Sequence, residues 1–326
     1  MVQRIVVVGR ITAGALRWRD GSWLRRPAAE RFVRALGEPL VVVVQRSVLR
    51  DILSGGLAAG TVEHGVAVVG LATTADGVRI RLSDNTIRRA DVVIGADGTH
   101  SVVARHLSGP LTDRYVGYTA WRGIARYAID PELAGETLGP GVETGHVPME
   151  RDLTYWYITE RAPERLRSPE GELPYLRAKL TDWAEPIPSI LAATPPGDVL
   201  RDDLYDRTPA RHWARGHVVL VGDAAHPMRP HLGQGGCQGL EDAAILASFV
   251  DQSAGLPTAF ARFAAFRRDR IKSLVRESAL IGKIINLRPA FLSAAASRAS
   301  VLIPEALLTR HMTAVAGRSA FVLPTR

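Results

Sequence analysis

The sequence predicts an α/β protein built on an open sheet, and three observations predict it. Short apolar runs at Gln3–Gly9, Ala90–Gly95 and Gly216–Val221 have the pattern of strands buried on both faces. Two of these runs lead directly into an aspartate–glycine pair, Asp97-Gly98 and Gly222-Asp223, at the strand end where open α/β sheets place ligands. The last run then passes through a glycine-rich loop into a strongly apolar helix, Leu240–Val250.

The other elements follow from local pattern. Arg17 to Gly21 reads as a turn, and Ala29–Leu36 has the length for two helical turns. Val41–Val44 is another apolar strand. A helix beginning at Ser47 places Val48, Leu49, Ile52 and Leu53 at helical spacing and stops at Gly55-Gly56. Val66–Leu71 and Val78–Leu82 flank Asp76-Gly77, a residue pair suited to a tight hairpin. Residues 111–204 turn richer in aromatics and prolines, with strands expected at Tyr115–Ala125 and Leu153–Thr159 and a helix near Pro174–Trp183. A long amphipathic helix covers Phe260–Ile285.

Composition narrows the function. A chain of 326 residues, 46% hydrophobic, can bury one large core or two modest ones. The net charge is +8, yet only three lysines occur (Lys179, Lys272 and Lys283), and the arginines are scattered. A phosphate-binding stripe would be clustered, so the charge reads as a biased surface and no nucleic-acid partner is expected. Cys237 is the sole cysteine, which rules out an internal disulfide. His226 and His231 lack ligand company, so no metal is expected. No run approaches the ~18 apolar residues of a membrane span, and the N-terminal run is too short for a signal peptide. The expectation is a soluble, cytoplasmic protein without membrane association.

The chemistry concentrates in residues 216–243. An apolar strand delivers Asp223, whose carboxylate can accept hydrogen bonds from ribose hydroxyls. In the loop Pro230-His231-Leu232-Gly233-Gln234-Gly235-Gly236 the glycines let backbone N–H groups approach a flat ligand. The helix that follows points the positive end of its dipole at that ligand, which favours negative charge there.

This stretch resembles the FAD-dependent aromatic monooxygenases, the family of para-hydroxybenzoate and salicylate hydroxylases, in which Gly-Asp, Ala-Ala-His-Pro and Gly-Gln-Gly follow in the same order. The resemblance implies that Gly222 and Asp223 hold the FAD ribose, and that Pro230, Gly233, Gly235 and Gly236 border the isoalloxazine ring. A second signature, residues 90–107, is similar to the family's Asp-Gly motif. There Asp97 and Gly98 would lie near the pyrophosphate and take part in NAD(P)H binding. Arg46, in Gln45-Arg46-Ser47-Val48-Leu49, resembles the arginine that reaches the cofactor from a helix start, a role suited to a planar guanidinium. Tyr118 to Gly123 resembles the first strand of the substrate domain, and Arg122 and Tyr157 are the substrate-pocket candidates. No nucleophile or triad is expected, because the cofactor carries the chemistry. The resemblance runs from about Leu16 to about Ile285.

The family's opening motif is broken. Its glycines let the pyrophosphate sit on a helix N-terminus, and an acid binds the adenosine ribose roughly 20 residues later. Here the positions read Gly9-Arg10-Ile11-Thr12-Ala13-Gly14, with Ile11 in place of the middle glycine and no acid in the right context. The simplest reading is that several dozen residues between Gly9 and Arg10 are absent. Two or three lost charge-assisted bonds, at about 1.5–3 kcal/mol each, would weaken FAD binding by roughly two to six decades. A homodimer partner, or residues 10–40, would cover the exposed side of the sheet.

The predicted fold is therefore an α/β, Rossmann-like FAD domain of para-hydroxybenzoate hydroxylase type, truncated in its first βαβ unit and formed by residues 1–110 and 205–255. An inserted α+β substrate domain covers 111–204 and a C-terminal helical segment 256–326. The activity implied is hydroxylation or epoxidation of an aromatic or polycyclic small molecule with FAD, NAD(P)H and O2. The alternatives are a cofactor-independent cyclase, isomerase or ligand-binding descendant, and an inactive fragment.

Overall fold

The computed structural model describes residues 10–11, 14–26, 41–149 and 152–316. The first strands in chain order are β1 (Arg10–Ile11), β2 (Ala15–Trp18), β3 (Trp23–Arg25), β4 (Val41–Val42), β5 (Val68–Thr74), β6 (Gly77–Leu82), β7 (Ile87–Ala90) and β8 (Val93–Gly95). There follow β9 (Asp113–Ala125), β10 (Gly135–Gly139), β11 (Val142–Pro148), β12 (Thr154–Glu160), β13 (Leu200–Arg207), β14 (Ala214–Arg215) and β15 (Val218–Leu220). The helices are α1 (Arg46–Ser54), α2 (Val102–Ser108), α3 (Glu172–Lys179), α4 (Ile187–Ala192), α5 (Gly235–Gln252), α6 (Leu256–Ile285), α7 (Ala290–Ala299) and α8 (Glu305–Ala316). They divide between two units, one containing Val62–Val116 and Tyr205–Gly282, the other Gly117–Leu204 with the described parts of 1–61 and 283–318.

In the first unit β15 lies between β14 and β8, parallel to β8 with Val218 opposite Val93 and Leu220 opposite Gly95. The three β15 residues are fully buried. Helices α5 and α6 pack Ile245, Leu246, Phe249, Phe260 and Phe263 against Val219 and Val221. Each such side chain contributes about 1.5–3 kcal/mol of burial, which fixes the strand end and the helix start relative to one another. A separate antiparallel meander, β5-β6-β7, completes this unit.

The second unit is built on a sheet in the order β13-β9-β12-β11-β10-β2-β3. Alternation along β9 and β12 turns Trp121, Trp156 and Ile158 to one face, where Leu173 and Leu176 of α3 and Ile187, Ile190 and Leu191 of α4 cover them. His146 on β11 is 1% exposed, and neither ring nitrogen has a partner among the described residues. Burial pushes its imidazole down to about 4.

Two elements differ from the sequence expectation. Arg17 and Trp18 end strand β2 rather than forming a turn, because β10 pairs with that segment in parallel and Trp18 is buried. The bend falls later, at Arg19–Gly21. The run Ala90–Gly95 is two strands, since Ala90 closes the meander against Val78 while Val93 joins β15. An apolar run cannot reveal that its halves belong to different sheets. Gln3–Gly9 and Ala29–Leu36 lie outside the described residues.

Candidate cofactor-binding site

The chain leaves β15 into a turn at Gly222, where φ is +56°. The Gly222 carbonyl accepts from Ala225 and His226 N–H, both at 2.9 Å. This presents Asp223 outward: its carboxylate is exposed and makes no hydrogen bond among the described residues. A Cβ at Gly235 would lie 4.0 Å from Asp223 Oδ1, so the carboxylate faces the start of α5. The loop before α5 is one helical turn, Pro230–Leu232, closed by Gly233 in the left-handed region with φ +62°. Helix α5 then begins with no side-chain cap, leaving its first N–H groups as open donors. Cβ atoms at Gly233 and Gly236 would meet nothing within 4 Å. A free acceptor beside uncapped donors and open space suits a flat, hydroxyl-bearing anionic cofactor.

A buried network fixes this turn from behind. Asp242 on α5 accepts from Gly222 N–H at 2.7 Å, pairs with His226 Nε2 at 2.6 Å and accepts from Arg267 Nε at 2.7 Å. Asp242 and Arg267 are both fully buried. Burial alone would raise the Asp242 carboxyl, but the His226 hydrogen bond and charge, the Gly222 N–H and Arg267 hold it below its ordinary value. Arg267 also reaches Glu241 at 2.9 Å and the Gln238 side chain at 2.9 Å, so its charge is compensated where it sits.

The other aspartate motif is built differently. Asp97 Oδ1 accepts from the Ser101 hydroxyl, and Oδ2 accepts from Val102 N–H at 2.7 Å and Val103 N–H at 3.3 Å. Ser101 in turn caps α2 by accepting from Ala104 N–H at 2.7 Å. The Asp97 carboxylate is thus committed to its own helix, and Gly98, at φ +76° with nothing near its Cβ position, is the open side of the turn.

Arg207, on β13, joins the two motifs. It is 7% exposed, and its guanidinium donates to the carbonyls of Thr99 at 2.9 Å, Asp223 at 3.3 Å, Ala224 at 2.8 Å and Ala225 at 3.4 Å. Burial lowers its pKa, offset in part by the carboxylates of Asp113, Asp223 and Asp97. Sequence reasoning missed Arg207, Asp242 and Arg267. Arg267 did leave a signal, because it falls on the buried stripe Phe260, Phe263, Ala264, Ile271 and Leu274 of α6. A charge on such a stripe demands a buried counter-charge.

Asp97, Gly98, Gly222, Asp223, Pro230, Gly233, Gly235 and Gly236 all belong to one unit, and the last six form one continuous turn and helix start. Arg46 belongs to the other unit, as the exposed first residue of α1. The two substrate-pocket candidates are cross-strand neighbours, Tyr157 opposite Arg122. Arg122 is half-exposed and pairs with Asp202 at 2.7 Å. The Tyr157 ring lies over Gly145, where a Cβ would come 2.0 Å from it, and its hydroxyl donates to Glu136 at 2.6 Å. Burial and the carboxylates of Glu136 and Glu143 push that phenol well above its ordinary value.

A parallel strand ending on a free aspartate, followed by a glycine loop and an uncapped helix, defines an α/β protein that binds a nucleotide-bearing cofactor. Comparison with known proteins makes this specific. The family model described as FAD binding domain matches residues 24–253. Aurachin C monooxygenase/isomerase of Stigmatella aurantiaca is 36% identical over 284 residues, 86% of this chain and 74% of that protein. The 3-amino-4-hydroxybenzoate 2-monooxygenase of Streptomyces cremeus is 35% identical over 247 residues, 74% of this chain and 61% of that protein. Klebsiella pneumoniae HpxO, in its crystal structure with FAD and uric acid, matches with a TM-score of 0.85 at 25% identity, over 95% of this chain and 81% of that one. The chain belongs to the FAD-binding-domain family of FAD-dependent monooxygenases, and its α/β fold is that of the para-hydroxybenzoate hydroxylase type.

Proposed function

We propose that this protein is an FAD-dependent monooxygenase that hydroxylates or epoxidises an aromatic or polycyclic small molecule, using NAD(P)H and O2 in the cytoplasm. The observation that carries the reading is the free Asp223 carboxylate facing the uncapped start of α5 across an open glycine loop. Asp223 would accept from the FAD ribose, and the N–H groups at the start of α5 would face the ring, with Pro230, Gly233, Gly235 and Gly236 along its edge. Gly98 offers open backbone to the pyrophosphate, with Asp97 holding that turn; Arg46, in the other unit, is proposed as a phosphate-pairing guanidinium on the family resemblance of its helix start alone. FAD, when bound, supplies the redox chemistry, taking reducing equivalents from NAD(P)H and passing one oxygen atom of O2 to an electron-rich ring. Arg207, His226 and Asp242 keep the two turns in place so that nothing need reorganise on binding. Arg122 and Tyr157 present polar groups to the substrate from one sheet face. We assign the cofactor domain to residues 1–110 and 205–255, the substrate domain to 111–204 and the C-terminal segment to 256–326, with β2 and β3 contributing to the substrate-domain sheet and the first half of α6 to the cofactor-domain core.

The test is to add FAD to the purified chain and record the visible spectrum and melting temperature. A yellow, FAD-stabilised protein whose NAD(P)H oxidation rises with an aromatic substrate is expected. A second reading, a cofactor-independent cyclase or isomerase, draws on one observation: Arg10 and Ile11 form an extended strand paired with Val42 and Val41 where a phosphate loop would stand. A colourless, cooperatively melting protein would favour it, and no melting transition would mean an inactive fragment.

A further inference from the structure

The C-terminal helices carry a surface that the proposed activity does not use. Helix α7 buries its serines and exposes its hydrocarbons: Ser293 and Ser297 are 0% and 6% exposed, Phe291 and Leu292 are 68% and 42%. Hydrogen bonds fix this orientation, since Ser293 Oγ donates to the Ile285 carbonyl and accepts from Gly141 N–H at 3.3 Å. Phe291, Leu292, Ala295, Ala299 and Leu302 recur every three or four residues and so share one helical face. The turn after α7 extends it with Val301, Leu302 and Ile303, which are 47%, 80% and 44% exposed, and α8 adds Leu307 at 57%. Arg25 anchors that turn by donating to the carbonyls of Ser300 and Ile303. The two helical segments meet at 99°, forming an elbow. A helix whose outer face meets only water has the opposite polarity, and a grouped apolar face of this kind marks an interaction site.

Charge says what the face meets. Lys283, Arg288, Arg298 and Arg310 are exposed on this segment, Arg298 with its guanidinium 4.8 Å over the Trp18 ring and its charge near Asp20, and Glu305 is the one acid between residues 283 and 311. Among the described residues no single helix is long and apolar enough to cross a membrane. At ~1.5 Å per residue α7 is about half the ~30 Å hydrocarbon thickness, so an apolar face of this length lies within an interface rather than through it.

We propose that the α7–α8 elbow docks on an anionic lipid leaflet, with the Phe291–Leu302 stripe in the acyl boundary and the four cations at the headgroups. Four cations against two acids, Glu305 and Asp20, beside an apolar face match a negatively charged bilayer surface. It departs from the expectation of no membrane association, which considered only spanning segments. It stands independently of the redox reading.

The test is co-sedimentation of the full chain with vesicles of phosphatidylcholine alone and of phosphatidylcholine with phosphatidylglycerol, at low and raised salt. Binding to the anionic vesicles, weakened by salt, is expected. Phe291→Ser with Leu302→Ser should cut the partition coefficient about a hundredfold, with the melting temperature showing that the fold persists. Should that variant misfold, Arg288→Glu with Arg310→Glu leaves the apolar stripe untouched and should abolish the preference for anionic lipid. No sedimentation with either vesicle, or equal binding to both, overturns the proposal. So does a wild-type dimer in size-exclusion chromatography, without vesicle binding, that Phe291→Ser and Leu302→Ser convert to monomer, because the face would then be a contact between copies.

Discussion

At the Asp97 turn three donors, the Ser101 hydroxyl and two backbone amides, occupy the carboxylate. At the Asp223 turn the carboxylate is exposed with no hydrogen-bond partner among the described residues. Both turns follow one of a pair of parallel strands, β15 fully buried and β8 with Ile94 exposed, and both set an aspartate beside a glycine with positive φ. One aspartate is spent on local structure, and the other is left with its carboxylate open. The negative charge of Asp97 at the α2 N-terminus stabilises that helix through direct hydrogen bonds, whereas the Asp223 carboxylate only faces the α5 N-terminus, which has no side-chain cap and keeps its donors free. Motif spacing alone does not separate the two roles. The hydrogen-bond inventory does.

Removing the link between the turns should have the largest effect. Arg207→Met leaves two or three buried carbonyls without donors, at about 1–3 kcal/mol each, so chemical denaturation should show a loss of roughly 3–5 kcal/mol. A loss below about 1 kcal/mol would mean the turns hold themselves. The other unit supplies the pH control. His146 is held down to about 4 against an ordinary 6.5, so it is buried neutral. Its contribution is whole above about 6.5 and drains away as pH falls towards 4, at ~1.4 kcal/mol per unit and about 3 kcal/mol in all. His146→Leu should flatten that slope in denaturation curves between neutral pH and 4.

The contrast itself is sharpened by paired substitutions. Asp223→Asn should raise the FAD dissociation constant about 10–100-fold, read by flavin fluorescence, while the melting temperature of the cofactor-free protein stays put. Asp97→Ala should do the reverse, costing about 1–2 kcal/mol of stability through the lost cap with a smaller effect on FAD. If the two variants behave alike, the division of roles is wrong. Smallest of all, Arg122→Ala removes a half-exposed ion pair with Asp202 and should change stability by less than ~1 kcal/mol, so any fall in substrate affinity reports contact with substrate.

Much of the cofactor turn was legible because its signals are local. The apolar run into Gly222-Asp223, the glycines of the loop and the helix after it are contiguous, and the structure builds them in that order. The Asp76-Gly77 hairpin and the long α6 helix were readable for the same reason. What escaped depends on partners distant in sequence. Arg207 binds backbone carbonyls of Thr99 and Ala224, which have no residue identity to read. The short strand Ala15–Trp18 exists because β10, more than a hundred residues later, pairs with it. The neighbours of Asp97 in sequence point to a cofactor group, and the positions of Ser101, Val102 and Val103 add that its carboxylate holds the start of α2.

The Arg207 bridge has a consequence for rebuilding the molecule. Among the described residues, every carbonyl its guanidinium donates to lies between Thr99 and Ala225, so these bonds set the spacing of the two turns from within that stretch. A nucleotide-binding module grafted ahead of Val62 would find its receiving half already assembled, and only the phosphate-gripping half would have to be designed.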